Sequence, residues 1–243
     1  LTSCEVDQYE REDNMPDSTY LYLVLVLPAF IISLIAQAMV KSQYRKYSRV
    51  ASRSGYTGAS AAQALLYAHG ITDVSIVQGR GTLSDHFNPR TNTISLSQGV
   101  FNSNSIAAIG IACHEAGHAV QHATGYMPIK VRNAFVPVCT FASYAGIPLA
   151  LIGYWLVLDS LVYIGLGLYS AILLFQLLTL PVELNASSRA IEIIENKGML
   201  REDELVGAKK VLRAAAMTYV ASLLVTLANL LRFISLFTGR RRR

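Results

Sequence analysis

The side chains in this sequence best able to do chemistry stand together in residues 106–121, IAAIGIACHEAGHAVQ, as His114, Glu115 and His118. On a helix, residues four apart lie one above the other on the same face. His114 and His118 can therefore offer two imidazole nitrogens to one metal ion, while Glu115 lies about 100° round, beside the ion rather than on it. This is an H-E-x-x-H pattern, and it suits hydrolysis: two neutral nitrogen ligands, an open position for water, and a carboxylate to take that water's proton. The plain alternative is a polar pair on a helix surface. The neighbours favour the site, because Ala116, Gly117 and Ala119 keep the helix narrow where a second element must approach, and Ile106, Ile109 and Ile111 give an apolar face to anchor it.

Two histidines leave such an ion short of a protein ligand, and the sequence offers three candidates. His122 continues the helix face, but two turns from His114 is ~12 Å, too far for a ~2 Å bond. Asp159 could serve only if the metal lay deep in a membrane. Glu183 is the best choice, since Ala186 and Ala190 behind it form a small-residue stripe able to pack on Ala116 and Ala119.

The elements that must position these groups are largely apolar. The chain has 243 residues, 52% hydrophobic and only 15% charged, with a mean hydropathy of +0.36. That composition indicates a membrane protein. Residues 20–40 carry no charge, with Tyr20 and Tyr22 at one edge and Lys41, Arg45, Lys46, Arg49 and Arg53 beyond the other. About 20 apolar residues cross the ~30 Å hydrocarbon core, so this stretch reads as a transmembrane helix. A cleaved signal peptide has its basic residues ahead of the apolar run, and here the order is reversed. The positive-inside rule then sets the basic side, with the motif, in the cytoplasm and the N-terminus outside. Ahead of it, residues 1–19 are polar and acidic and read as a disordered tail, with Met15 as a natural start.

Residues 134–158 and 161–180 are two further spans, joined by Asp159-Ser160 as an antiparallel hairpin. Pro137 and Pro148 are tolerable kinks there. Residues 214–231 form another uncharged run. As a fourth span it would place Arg232 and Arg240–Arg243 outside, against the positive-inside rule, so lying against the rest of the protein or re-entering are its alternatives.

Between the first span and the motif the character is soluble. Thr57 opens a helix that runs through His69 and ends at Gly70, while residues 74–78 and 93–97 alternate as strands on either side of an Asn88-Pro89-Arg90 turn. The strand at 93–97 is either an edge that holds substrate backbone by strand addition or a packing strand only. His69 reads as a helix-end residue and His86 as a loop hydrogen-bonder. Cys4, Cys113 and Cys139 have no CxxC or CxxH spacing and indicate neither a disulfide scaffold nor a zinc ribbon. The pI near 9.1 comes largely from two basic clusters that flank apolar runs, and these give no sign of nucleic-acid binding.

The run SIAAIGIACHEAGHAVQHATGYMPIKVRNAFVPV, with LSDHFNPRT before it and QLLTLPVELNASSRAIEIIENKGML and EDELVGAKKVLRAAAMTYVASLL after it, resembles the bacterial membrane-bound neutral zinc metallopeptidase family (YugP-like). The resemblance covers roughly residues 17–237. The stretch Glu183-Leu184-Asn185-Ala186 also resembles the ligand helix of HtpX-like gluzincins, where an Asp usually follows the Ala; here Ser187 stands there instead. The resemblance implies one zinc ion per chain, a protein or peptide substrate, and a multi-pass location in the bacterial plasma membrane.

The reading as a whole is a mostly α-helical membrane protein: about four hydrophobic helices and a small zincin-like α+β catalytic domain with a short β-hairpin. Its segments are the tail 1–19, a span 20–40, a catalytic region 41–133, a hairpin 134–180, a third-ligand and charged helix 181–210, and a hydrophobic helix with basic tail 211–243. The expected function is zinc-dependent peptide hydrolysis, with His114, His118 and Glu183 on the metal and Glu115 as general base. Arg189, His86 and Tyr126 are candidate oxyanion donors. The competing readings are a site-2-type intramembrane protease with Asp159 as third ligand, and a non-catalytic zinc-binding membrane scaffold. Expected partners are the substrate and the lipid bilayer, with membrane-protein partners or a homo-oligomer compatible with both.

Overall fold

The structure is a computed structural model that describes residues 18–239. The expected tail up to residue 17, Cys4, Met15 and Arg240–Arg243 lie outside the described residues. In chain order the elements are α1 (Ser18–Leu21), a π-helical segment Tyr22–Val26, α2 (Leu27–Tyr47), α3 (Gly58–Ala68), β1 (Ser75–Gly79), β2 (His86–Asn88), β3 (Thr93–Ser97), α4 (Gln98–Phe101), α5 (Ile106–Ala123), α6 (Met127–Trp155), α7 (Asp159–Asn196) and α8 (Glu202–Gly239). Among the described residues, four helices are long and apolar enough to cross a membrane: Thr19–Tyr47, Met127–Trp155, Asp159–Asn196 and Glu202–Phe237. The fold is that of a mostly α-helical membrane protein with a small α+β part.

The chain forms two compact units. One comprises the described residues up to Leu34, Phe135–Gln176 and those from Ala221 onward. Its centre is the antiparallel pair α6 and α7, which approach through small residues: a Cβ on Gly165 would stand 2.5 Å from the Ala150 nitrogen. Close backbone approach of this kind is how helices associate where lipid removes the hydrophobic driving force. The connection falls at residues 156–158, not at the expected Asp159-Ser160. Asp159 instead opens α7, where a carboxylate is stabilised by the unpaired N–H groups of the first turn.

The other unit comprises Ile35–Ala134 and Leu177–Val220. Its core gathers Leu65, Leu66, Ile94, Leu96, Ile109 and Ile194, all fully buried. Thr57 caps α3 in a reciprocal capping box with Ser60, His69 closes the helix through its Nδ1 on the Leu65 carbonyl, and Gly70 follows with a left-handed φ of 70°. The sheet has three strands among the described residues, in the order β1-β3-β2, with β1 parallel and β2 antiparallel to β3. Hence β2 and β3 make the short hairpin, and β3 is the central strand. Strand addition along residues 93–97 is thereby blocked, because β1 pairs with one edge over the whole strand and β2 covers residues 93–95 of the other.

Two long helices differ from their sequence segmentation. α7 runs unbroken through Pro181, so the second arm of the hairpin and the helix carrying Glu183 are one element. α8 is likewise a single helix from Glu202 to Gly239. Re-entry of residues 214–231 would need a break, and there is none. Glu204 fixes the start of α8 by accepting from the backbone N–H of Arg201 and Arg53.

Candidate metal centre

α5 is anchored at its start by Ser105, whose hydroxyl accepts from the Ala108 N–H at 3.2 Å. Ile106 and Ile109 go into the core, whereas Ile111 stays partly exposed. That sets the 111–114–118 face away from the core and toward α7. The two helices meet at Gly117, where a Cβ would stand 2.7 Å from the Ala186 carbonyl oxygen. Ala116, Ala119, Ala186 and Ala190 are all essentially fully buried, so the small residues do set this approach. Glu183, one turn before Ala186, is thereby carried to the two histidines.

His114 Nε2 lies 3.3 Å and His118 Nε2 3.5 Å from the same oxygen, Glu183 Oε2. The rings meet edge to face, with centroids 4.7 Å apart. Among the described residues these three form the group of His, Cys, Asp and Glu side chains close enough to share one ion, their ligand atoms all within 4.8 Å of one another. Two imidazole nitrogens and one carboxylate are a donor set of the kind that catalytic zinc takes, with a position left open.

The far nitrogens of both rings are held. His118 Nδ1 lies 3.0 Å from Gln121 Oε1. The Gln121 amide nitrogen donates to the Val182 carbonyl and to Asn185 Oδ1, so its oxygen faces His118 as an acceptor and the imidazole proton sits on Nδ1. This leaves Nε2 free as a ligand atom. Asn185 Oδ1 also accepts from Arg189 Nε at 2.9 Å. Ser187 Oγ lies 3.1 Å from His114 Nδ1, so the residue in place of the expected Asp still orients that ring. Burial works to lower the His118 pKa, but the Glu183 hydrogen bond, the charges of Glu115 and Glu183, and Gln121 outweigh it and hold the imidazole above its ordinary value.

Glu115 is buried, and its Oε2 accepts from the backbone N–H of Phe87 at 3.0 Å. That N–H belongs to β2 and leaves its strand edge for the carboxylate, so β2 is the edge that faces this group. A cavity of about 250 Å³ opens beside it, reaching His114, Glu115, Glu183 and Ser187. Tyr219 of α8 lines it together with Glu183.

The remaining candidates are elsewhere. His122 is exposed and stacks at a tilt on Phe87, with centroids 5.8 Å apart. Asp159 belongs to the other compact unit and is not in the metal-capable group. His86 is exposed, its Nδ1 on the Ser84 carbonyl, and Arg189 is engaged with Asn185; neither they nor Tyr126 line the cavity. Sequence reasoning missed Gln121, Asn185, Tyr219 and the Phe87 amide. Gln121, one turn after His118, and Asn185, two residues after Glu183, carried a usable signal; a backbone amide carries none.

Comparison with known proteins finds a family and a relative. The model of a family described as "Putative neutral zinc metallopeptidase" matches residues 22–238. "Putative membrane protease YugP" of Bacillus subtilis (strain 168) is 47% identical over 223 residues, which covers 91% of this chain and 98% of that protein. No solved structure matches.

Proposed function

Since the chain belongs to the family described as putative neutral zinc metallopeptidases, we propose that it is a membrane-embedded zinc endopeptidase in which His114, His118 and Glu183 hold one zinc ion and Glu115 is the general base. The observation that carries this is the convergence of two Nε2 atoms on Glu183 Oε2, with Glu115 held apart from that set by the Phe87 amide.

Zinc bound there supplies Lewis acidity, which polarises the scissile carbonyl and brings the pKa of water from 15.7 to about 7. Ser187 and Gln121 hold the two imidazoles with Nε2 inward. The Phe87 N–H occupies Glu115 Oε2 and leaves Oε1 for the attacking water. Glu115 accepts that water's proton and passes it to the leaving amine, a contribution on the order of 10²–10⁴ in rate. The basic stretch after the first span sets this site on the cytoplasmic side of a multi-pass protein of the bacterial plasma membrane. The test is cleavage of an unfolded protein such as casein by the detergent-solubilised full chain: cleavage should stop with a chelator and return with zinc. Chelator-resistant cleavage, or none with zinc bound, overturns the reading.

A further inference from the structure

The cavity that reaches the site has a mostly apolar lining. Besides the groups already named it is lined by Val40, Ile111, Val211, Leu212, Ala215 and Ala216. On α8, residues 211, 212, 215, 216 and 219 recur on one face, and the last of them, Tyr219, shares the cavity with Glu183. At 1.5 Å per residue, Ala215 lies about 6 Å and Val211 about 12 Å along the axis from that tyrosine. On α5, Ile111 precedes His114 by one turn. Both helices therefore line the cavity with hydrocarbon on the N-terminal side of the residues that bind and react.

The size is informative. A dry cavity of about 150 Å³ takes a benzene ring, and this one offers about 250 Å³. Ala215 and Ala216 make that room, since larger residues there would fill it. The charged lining is acidic: Glu115, Glu183 and Asp85, the last anchored through the Ser97 N–H at 2.7 Å. An acidic side chain entering here would lose its hydration beside Glu115 and Asp85, the two lining carboxylates that a zinc ion on Glu183 does not take up, whereas an uncharged apolar one carries no such cost.

We infer that this cavity receives a large apolar side chain of the substrate, on a residue adjoining the scissile bond, so that the protein cleaves beside residues such as Leu and Phe and discriminates against Asp and Glu. The inference rests on the endopeptidase reading for the word substrate, and its test is arranged to separate the two.

The probe is a set of short peptides with a zinc-binding hydroxamate in place of the scissile bond and Ala, Leu, Phe or Glu beside it. Binding is measured by calorimetry to zinc-loaded, detergent-solubilised Glu115→Gln full chain. Leu and Phe should bind ~10-fold or more tighter than Ala, in line with what apolar pockets discriminate, and Glu should bind weakest. Ala216→Leu in the same background should bring Leu and Phe to within about 3-fold of Ala, while Val40→Ala should gain affinity for a naphthyl side chain. Equal affinity across the series, tightest binding of Glu, or a preference untouched by both substitutions overturns the inference. If native protein cleaves casein with zinc while the series is flat, the endopeptidase reading stands and the inference falls. If the series shows the preference without any cleavage, the cavity assignment stands and the endopeptidase reading falls. No binding of any hydroxamate to zinc-loaded protein, together with no casein cleavage by the native protein, overturns both.

Discussion

The Phe87 N–H donates to Glu115 Oε2 at 3.0 Å from 28 residues away in sequence, so a strand edge fixes one oxygen of the carboxylate, and in the proposed mechanism the other takes the water. Glu115→Gln should keep that bond through its amide oxygen, and with it zinc content and thermal stability near wild type. An amide cannot take a proton from water, so casein cleavage should fall by about 10²–10⁴ or more. Glu115→Asp withdraws the base by roughly 1 Å, a misplacement that can cost about 10²-fold. Equal cleavage by wild type and Glu115→Gln would remove Glu115 from the mechanism.

Glu183 Oε2 is the shared partner of both imidazoles. Glu183→Gln should weaken zinc binding by an order of magnitude or more, because it removes the charged ligand and leaves two imidazoles on an incompletely held cation. His122→Ala and Asp159→Asn should leave zinc affinity nearly unchanged. Metal content measured on the purified variants decides this, and loss of zinc from Asp159→Asn with retention in Glu183→Gln would favour the membrane-buried alternative.

The sequence revealed the convergence of His114, His118 and Glu183 because each step had a local rule behind it. Helical periodicity pairs 114 with 118, and the alanines at 116, 119, 186 and 190 announce a close helix contact. The Thr57 cap and the Gly70 stop were equally plain. The central place of β3 was hidden, since β2 is three residues long and shows no alternation, and only pairing with β3 defines it. The turn at residues 156–158 was misplaced because a charge between apolar runs reads as a break, although an acid at a helix start is favourable. The chain from Arg189 through Asn185 to Gln121 joins two helices across 64 residues of sequence, beyond any local pattern.

The proposed cytoplasmic placement rests on Lys41, Arg45, Lys46, Arg49 and Arg53 alone. In a variant lacking Cys4, single cysteines replacing Ser42 or Asn102 should resist an impermeant thiol reagent in intact cells and react after permeabilisation. Cys113 and Cys139 are buried and give little background. Labelling in intact cells would reverse the orientation.

Zinc uptake should release protons. In the metal-free protein the His118 pKa is raised, so its protonated form pairs with Glu183. The stability this adds is fully present below the ordinary imidazole pKa and is lost as pH rises through the raised value. Zinc requires the neutral ring, so apparent affinity should fall as pH drops through that same raised value, with proton release visible as a buffer-dependent heat of binding. A zinc affinity flat between pH 5 and 8 would contradict a His118 ligand.

Ser187 and Gln121 separate orientation from ligation. Each holds the Nδ1 of one ligand imidazole, at 3.1 Å and 3.0 Å, and neither is in the metal-capable group. Removing such a partner typically costs 10- to 100-fold in metal affinity or activity. Ser187→Ala should sit at the mild end, since a hydroxyl is a weaker acceptor than a carboxylate, and Ser187→Asp should hold zinc at least as tightly as wild type. Gln121→Ala should cost more. Gln121 is fully buried, and its loss frees the His118 ring while leaving the Val182 carbonyl without its donor. Gln121→Glu presents an acceptor to His118 but cannot donate to that carbonyl, so it should recover metal affinity better than thermal stability. Zinc dissociation constants and melting temperatures on the same preparations separate the two effects. If Ser187→Ala and Gln121→Ala both bound zinc like wild type, the imidazoles would be oriented by packing alone.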